Sequence, residues 1–63
     1  MDTVENVLGD MVETFAQNYR NSSTQRERDK TDHHFKAIIQ SLAPQRFEYF
    51  WHCYQQKREV ERN

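Results

Sequence analysis

Four side chains of the types that bind metals or take part in catalysis occur as two adjacent pairs, His33 with His34 and His52 with Cys53. Neighbouring residues on a helix point about 100° apart, so the two members of a pair are poorly placed to bind one ion. Zinc sites usually take ligands at i and i+4 or from a Cys-x-x-Cys knuckle, and neither spacing occurs here. A cysteine nucleophile must likewise face its histidine base, which helical neighbours do not. We therefore expect no metal, no cofactor and no catalytic residue.

Sequence motifs that bind phosphate or activate a substrate are also missing. The chain has one glycine, Gly9, so it cannot form a glycine-rich phosphate loop. The charges of residues 26–30 alternate in sign, which favours a solvated face over a phosphate site. The sequence thus predicts a protein that is not an enzyme and takes no small-molecule substrate.

The composition indicates one small unit that is drawn neither to nucleic acid nor to membrane. Charged residues make up 30% of the 63, and the mean hydropathy is -1.17, but aromatics reach 13%, more than a disordered tail carries. The net charge of -1 creates no basic field for nucleic acid. No apolar run approaches the roughly 18 residues that a membrane span needs. Cys53 is the only cysteine, which excludes an internal disulfide and fits a reducing, intracellular setting.

The elements that carry these side chains follow from two apolar stripes with helical spacing. Each stripe has offsets i, i+3, i+4 and i+7. Their members are Phe35, Ile38, Ile39 and Leu42 in the first and Phe47, Phe50, Trp51 and Tyr54 in the second. The stripes predict helices over about 31–42 and 44–61, joined tightly at Ala43-Pro44, where proline ends the first helix and suits the first turn of the next. We expect Thr31 or Asp32 to cap the first of these helices, and residues 55–62 to project beyond the core or fray.

A third stripe predicts a helix over about residues 3–20, before the other two. Its spine includes Leu8, Met11 and Phe15, and Asp2 with Glu5 forms a candidate capping box at its start. Gly9 lies in the middle of this helix, and we expect the backbone of another segment to pack closely against it.

The polar segment 21–30 contains no apolar residue and allows two predictions. It is either a flexible linker or an exposed extension at the front of the next helix. Ser22 or Ser23 could cap such an extension, with Asn21 ending the helix before it.

These elements predict an all-α fold: three short amphipathic helices forming a single helical-bundle module over residues 1–63, completed by dimerisation. Bundles this small bury only about 60% of their unfolded surface, and the aromatics of the third helix exceed what two short helices readily cover. The residues expected in the core or interface are Leu8, Met11, Phe15, Phe35, Ile38, Ile39, Leu42, Phe47, Phe50, Trp51 and Tyr54.

The region from Asp32 to Val60 resembles the BESS motif of insect chromatin and transcription factors. The resemblance rests on Asp32 and Phe35 leading an apolar helix that ends at Ser41-Leu42, on Pro44-Gln45-Arg46, and on the apolar face that follows. The family usually has more residues between its two apolar blocks and an aliphatic second helix, whereas this one is aromatic. The resemblance implies a protein–protein interaction motif of nuclear regulators.

We therefore expect a non-enzymatic protein–protein interaction module, most simply a homodimerisation module of a larger regulatory protein. One alternative is a monomeric adaptor or inhibitor that docks a different protein through its aromatic face. A second is a helix-turn-helix that binds nucleic acid, although the start of the third helix offers only Gln45 and Arg46 before it turns aromatic. The expected partner is a second copy or another protein, without membrane or direct nucleic-acid binding. The location is intracellular, and nuclear if the resemblance holds.

Overall fold

The computed structural model describes residues 3–60, which form three α-helices joined by two short connections. Helix α1 spans Thr3–Asn21, α2 spans Gln25–Leu42 and α3 spans Phe47–Val60, with a 3-10 turn at Pro44–Arg46 between the last two. The prediction of an all-α, three-helix fold is thus confirmed, while the capping residue Asp2 lies outside the described residues. Among residues 3–60, no helix has the length and apolar character needed to cross a lipid bilayer.

Helix α2 begins earlier than its apolar stripe, so segment 25–30 is an extension of the helix and not a linker. Thr24 is the N-cap: its backbone is extended, and its Oγ1 accepts a hydrogen bond from the Glu27 backbone N–H at 3.2 Å. Thr24 and Glu27 have the Thr-x-x-Glu spacing of a capping box. The expectation that Ser22 or Ser23 would cap such an extension is therefore wrong.

The expected caps Thr31 and Asp32 lie in the interior of α2, two turns after its start. The Thr31 hydroxyl donates to the Glu27 carbonyl at 3.0 Å, which is a bond within the helix. Asp32 instead points towards α3. The cap prediction is wrong because the first two turns of α2 are entirely polar and leave no trace in the apolar periodicity.

The corner at Ala43-Pro44 turns the chain with ordinary helix-end hydrogen bonds. The Ala43 N–H donates to the Ile39 carbonyl at 2.8 Å, and the Arg46 N–H donates to the Ala43 carbonyl at 3.0 Å. Pro44 occupies the first position of the 3-10 turn, where a missing N–H has no cost. Regular α-helix then resumes at Phe47.

Helices α1 and α2 are antiparallel, and α3 runs parallel to α1. Only residues 22–24 connect α1 to α2, and the Phe15 ring stacks on that of Phe35 with centroids 5.1 Å apart. Two ion pairs join α1 to the 3-10 turn and to α3, in the same order along both parts of the chain. These are Glu5 with Arg46, at 3.4 Å, and Glu13 with Lys57. The hydrogen bond and positive charge of Lys57 lower the pKa of the Glu13 carboxyl.

Each helix contributes to one core, which contains eight buried apolar side chains among residues 3–60. They are Leu8, Val12, Ala16, Phe35, Ile39, Ala43, Phe50 and Tyr54. On α1 the buried positions step by four residues and end in alanine, whose small side chain permits close helix packing. Both buried alanines, Ala16 and Ala43, are outside the set of core residues expected from the sequence.

The polar end of α3 packs against the rest of the molecule instead of projecting from it. The Arg58 side chain is only 15% exposed and binds Asp32 on α2. The Lys57 backbone carbonyl accepts a hydrogen bond from Arg20 of α1 at 2.8 Å. The expectation of a projecting end is therefore wrong for residues 55–58, because Lys57 and Arg58 attach this part of the helix to α1 and α2. Residues 61 and 62 of that prediction lie outside the described residues.

Gly9 does not mark a close approach of two backbones. A methyl group added at its Cα would meet no atom within 4 Å, apart from its own helix and chain neighbours, and the residue faces solvent. The sequence-based explanation is thus wrong, and Gly9 is a weak point within α1.

We expect Gly9→Ala to raise the free energy of unfolding by about 1 kcal/mol, because alanine favours the helix and nothing obstructs it. Urea unfolding followed by circular dichroism measures the change. The exposed Gln17→Gly on the same helix is the matched control and should lower stability by a similar amount. A loss of stability in Gly9→Ala would contradict the open surroundings of this residue.

The adjacent isoleucines of α2 should respond differently to truncation. Ile39 is fully buried, whereas Ile38 is partly buried at the edge of the core. Ile39→Ala should cost about 2–5 kcal/mol, which is comparable with the whole stability of a domain this small, and Ile38→Ala clearly less. Equal losses in a thermal melt would contradict the assigned orientation of α2.

Candidate functional site

The side chains with potential chemistry are dispersed over the surface and do not form a reactive group. In the part of the chain that the structure describes, no three histidine, cysteine or acidic side chains come close enough to hold a metal ion. All three histidines are exposed, and Cys53 is partly buried. His34 packs the edge of its ring against Phe15 at a centroid distance of 5.6 Å, which is a packing contact.

The most extensive polar contact instead joins α2 to α3 around Asp32. The Tyr54 hydroxyl donates to Asp32 Oδ1 at 2.6 Å, and Arg58 Nη1 donates to the same oxygen at 2.7 Å. The Arg58 guanidinium also lies over the Tyr19 ring of α1 at 4.6 Å. With Asp32 only 23% exposed and Arg58 15% exposed, this group of four residues forms a largely desolvated junction of all three helices. We call it the Asp32 junction.

The pKa shifts at the Asp32 junction follow from burial and from the charge of Asp32. Burial, reinforced by the neighbouring carboxylate, raises the pKa of Tyr54 well above its ordinary value of 10.0. Burial alone would lower the pKa of Arg58, but its hydrogen bond and ion pair with Asp32 outweigh this and raise it. The tyrosine is thus held protonated and the arginine charged, which suits a structural junction and not proton transfer.

The Asp32 junction leaves no signal in the sequence because its members are far apart along the chain. Asp32 is 22 residues from Tyr54 and 26 from Arg58. The local patterns indicate a helix cap for Asp32, an apolar core position for Tyr54 and a projecting end for Arg58. Periodicity identifies the inward face of a helix but does not pair polar residues on two helices.

The side chains predicted for the core or interface fall into three classes of exposure. Leu8, Phe35, Ile39, Phe50 and Tyr54 are buried, while Met11, Phe15, Ile38, Phe47 and Trp51 are partly buried against them. Leu42 is 45% exposed and therefore does not belong to the core of the single chain. Whether any of them contacts a partner stays a prediction.

Helix α3 carries aromatic rings on two outward patches, each contacted by a cation from the same chain. Phe47 and Trp51 stack on one face, and Tyr49 lies on the opposite face. We call these three residues together the α3 aromatic surface. Lys36 lies 5.1 Å from the Trp51 ring and Arg46 lies 4.7 Å from the Tyr49 ring. Such cation–π contacts are favourable, and they keep charge on this surface.

The outer side of α1 and α2 forms a shallow groove without formal charge. We call it the α1/α2 groove. It is lined by Met11, His34, Ala37, Ile38, Ser41 and Leu42. Val7 lies one helical turn before Met11 and is 40% exposed, so it extends the apolar surface towards the start of α1. The groove has no acid, lysine or arginine, although 30% of the chain is charged.

The raised pKa of Tyr54 predicts a loss of stability in alkali. Above pH 10 the unfolded chain releases the phenolic proton of Tyr54 while the folded chain retains it. The contribution of Tyr54 is therefore complete below pH 10 and declines as the pH rises further. Urea unfolding at neutral pH and above pH 10 should show a smaller alkaline loss for Tyr54→Phe than for the parent. Tyr49→Phe, at an exposed position, should behave like the parent, and an identical loss in Tyr54→Phe would contradict the assignment.

Comparisons of the chain with family models, with curated proteins and with solved structures find no match. The resemblance of residues 32–60 to the BESS motif therefore stays a prediction.

Proposed function

We propose that this chain is a non-enzymatic protein–protein interaction module that works by self-association. The observation that carries the proposal is the incomplete covering of its apolar side chains. Val7 and Leu42 are exposed, and Met11 and Ile38 are only partly buried, although all four lie on two helices that also build the core. A second chain would remove this surface from water.

The size of the core supports association. Eight buried side chains within residues 3–60, two of them alanines, make a small core for a chain of 63 residues. Domains of this length are marginally stable alone and commonly gain stability from a metal, a disulfide or oligomerisation. Cys53 is the chain's only cysteine, so an internal disulfide is impossible. Association is then the simplest supplement.

The setting that we propose is a nuclear regulatory protein, of transcription or chromatin, in which this module joins subunits. This part of the proposal rests on the BESS resemblance alone, through Asp32, Phe35 and the Pro44-Gln45-Arg46 start of the last helix. A fluorescent fusion of the natural protein tests the location directly, and an exclusively cytoplasmic signal would contradict it.

Self-association predicts that mass and stability depend on protein concentration. Sedimentation equilibrium over a roughly hundredfold dilution should show a dimer that dissociates to monomer, and the thermal midpoint should fall with dilution, because the partner binds only the folded chain. Trp51→Ala, which removes a partly buried ring, should lower the midpoint at every concentration. A monomer mass and a fixed midpoint throughout would contradict self-association and leave the monomeric adaptor as the alternative.

A further inference from the structure

We propose that the α1/α2 groove is the dimer seam, with α1 of one chain lying along α2 of a second copy. This inference rests on the proposed self-association and specifies its surface and register. It differs from the expectation of a core shared through the α3 aromatics, since it places the seam on the side of the molecule formed by α1 and α2.

Charge distinguishes the two candidate surfaces. An interface core is depleted of charged residues because each would be desolvated there. On the α3 aromatic surface, Lys36 and Arg46 lie over the rings, so a partner would have to strip water from both cations. The α1/α2 groove contains no such residue. A second copy therefore covers the groove at a much lower desolvation cost.

The register follows from the way α1 and α2 already face each other. Within one chain, Phe15 lies opposite His34, and Met11 shares the groove with Ile38. Extending this antiparallel register by one turn brings Val7 level with Leu42. We place a two-fold rotation axis between the two chains and parallel to the helices. This rotation keeps every residue at its height along the helices. Each α1 residue therefore faces, in the second copy, the α2 residue that lies level with it in its own chain. Val7 then meets Leu42 of the second copy, and the same contact occurs twice.

The available area also favours this axis. The helices have 19 and 18 residues and are each about 27 Å long; packed side by side they present a face about 20 Å wide, or about 540 Å². Specific interfaces bury about 600–1,000 Å² per chain, so even the whole face only approaches the low end of that range. The whole length of both helices must then be used, which requires the axis along the helices. A two-fold axis perpendicular to the helices and centred on the apolar end would leave about half of the face uncovered.

The polar end of this side is compatible with the same axis. Asn18 of α1 and Thr31 of α2 lie next to each other at this polar end. Glu27 and Lys30 lie beside them and carry opposite charges. When the two copies pack face to face about this axis, the polar end of one lies on the polar end of the other, and the apolar ends likewise meet. No charge of residues 27–30 then enters the apolar half.

A pair of charge variants tests both the surface and the register. Leu42→Asp and Val7→Lys each place one charge in the seam at an exposed position, so each chain should retain its helical circular dichroism. Each should raise the dimer dissociation constant by about a hundredfold or more, because the buried charge has no partner. Mixing the two variants should restore a dimer of one chain of each kind. In that dimer the introduced lysine meets the introduced aspartate at one contact, and the native Val7 and Leu42 meet at the other.

The control variant is Tyr49→Asp, on the α3 aromatic surface at a residue that is 55% exposed. It should sediment like the parent. A parent dimer that survives Leu42→Asp but dissociates in Tyr49→Asp would overturn the seam while leaving self-association intact. Failure of the mixture to form the mixed dimer would overturn the register. A parent that is monomeric throughout would overturn self-association itself, and the seam with it. Leu42→Gln, a milder change, replaces Leu42→Asp if the latter fails to fold.

Discussion

The structure depends on one partly buried carboxylate, Asp32, which binds both Tyr54 and Arg58 through the same oxygen. A charge that loses most of its contact with water must be paired and hydrogen-bonded, so α2 and α3 have one mutual register that satisfies it. The Arg58 guanidinium extends this constraint to α1 by lying over Tyr19. A small core with few large side chains would allow helices to slide, whereas the Asp32 junction opposes sliding of all three.

This junction also determines which surfaces the chain covers itself. It holds the last two turns of α3 against the body, which brings Trp51 beside Lys36 and Arg58. Trp51 is then partly covered by the core on one side and by these two cations on the other, whereas Tyr49 remains 55% exposed beside Arg46. With α3 packed against one side of the α1–α2 pair, the other side of that pair is left uncovered. An incompletely covered apolar surface without a formally charged residue therefore lies on α1 and α2.

Local signals in the sequence predict much of this fold, but they do not predict contacts between residues that are far apart along the chain. The stripe containing Phe35 and Ile39 identifies a helix, and Pro44 locates its end, because both signals lie within a few residues of the feature that they determine. The start of α2 is missed, although Thr24 and Glu27 carry the spacing of a capping box, because a polar first turn has no apolar period. The pairing of Asp32 with Arg58 depends on how two helices meet, which no single stripe encodes.

The same distinction applies to the exposed apolar side chains. The stripes place Leu42 and Phe50 in one common set, since both occupy the apolar face of a helix. Three helices have more apolar faces than a single core can cover, so some members of the set must remain outside. Leu42 is one of them. It points in nearly the same direction on α2 as the buried Phe35, seven residues earlier, but it is the last residue of the helix and lies at the edge of the core. The position of a residue along its helix, as well as its face, thus decides whether it belongs to the core of the single chain.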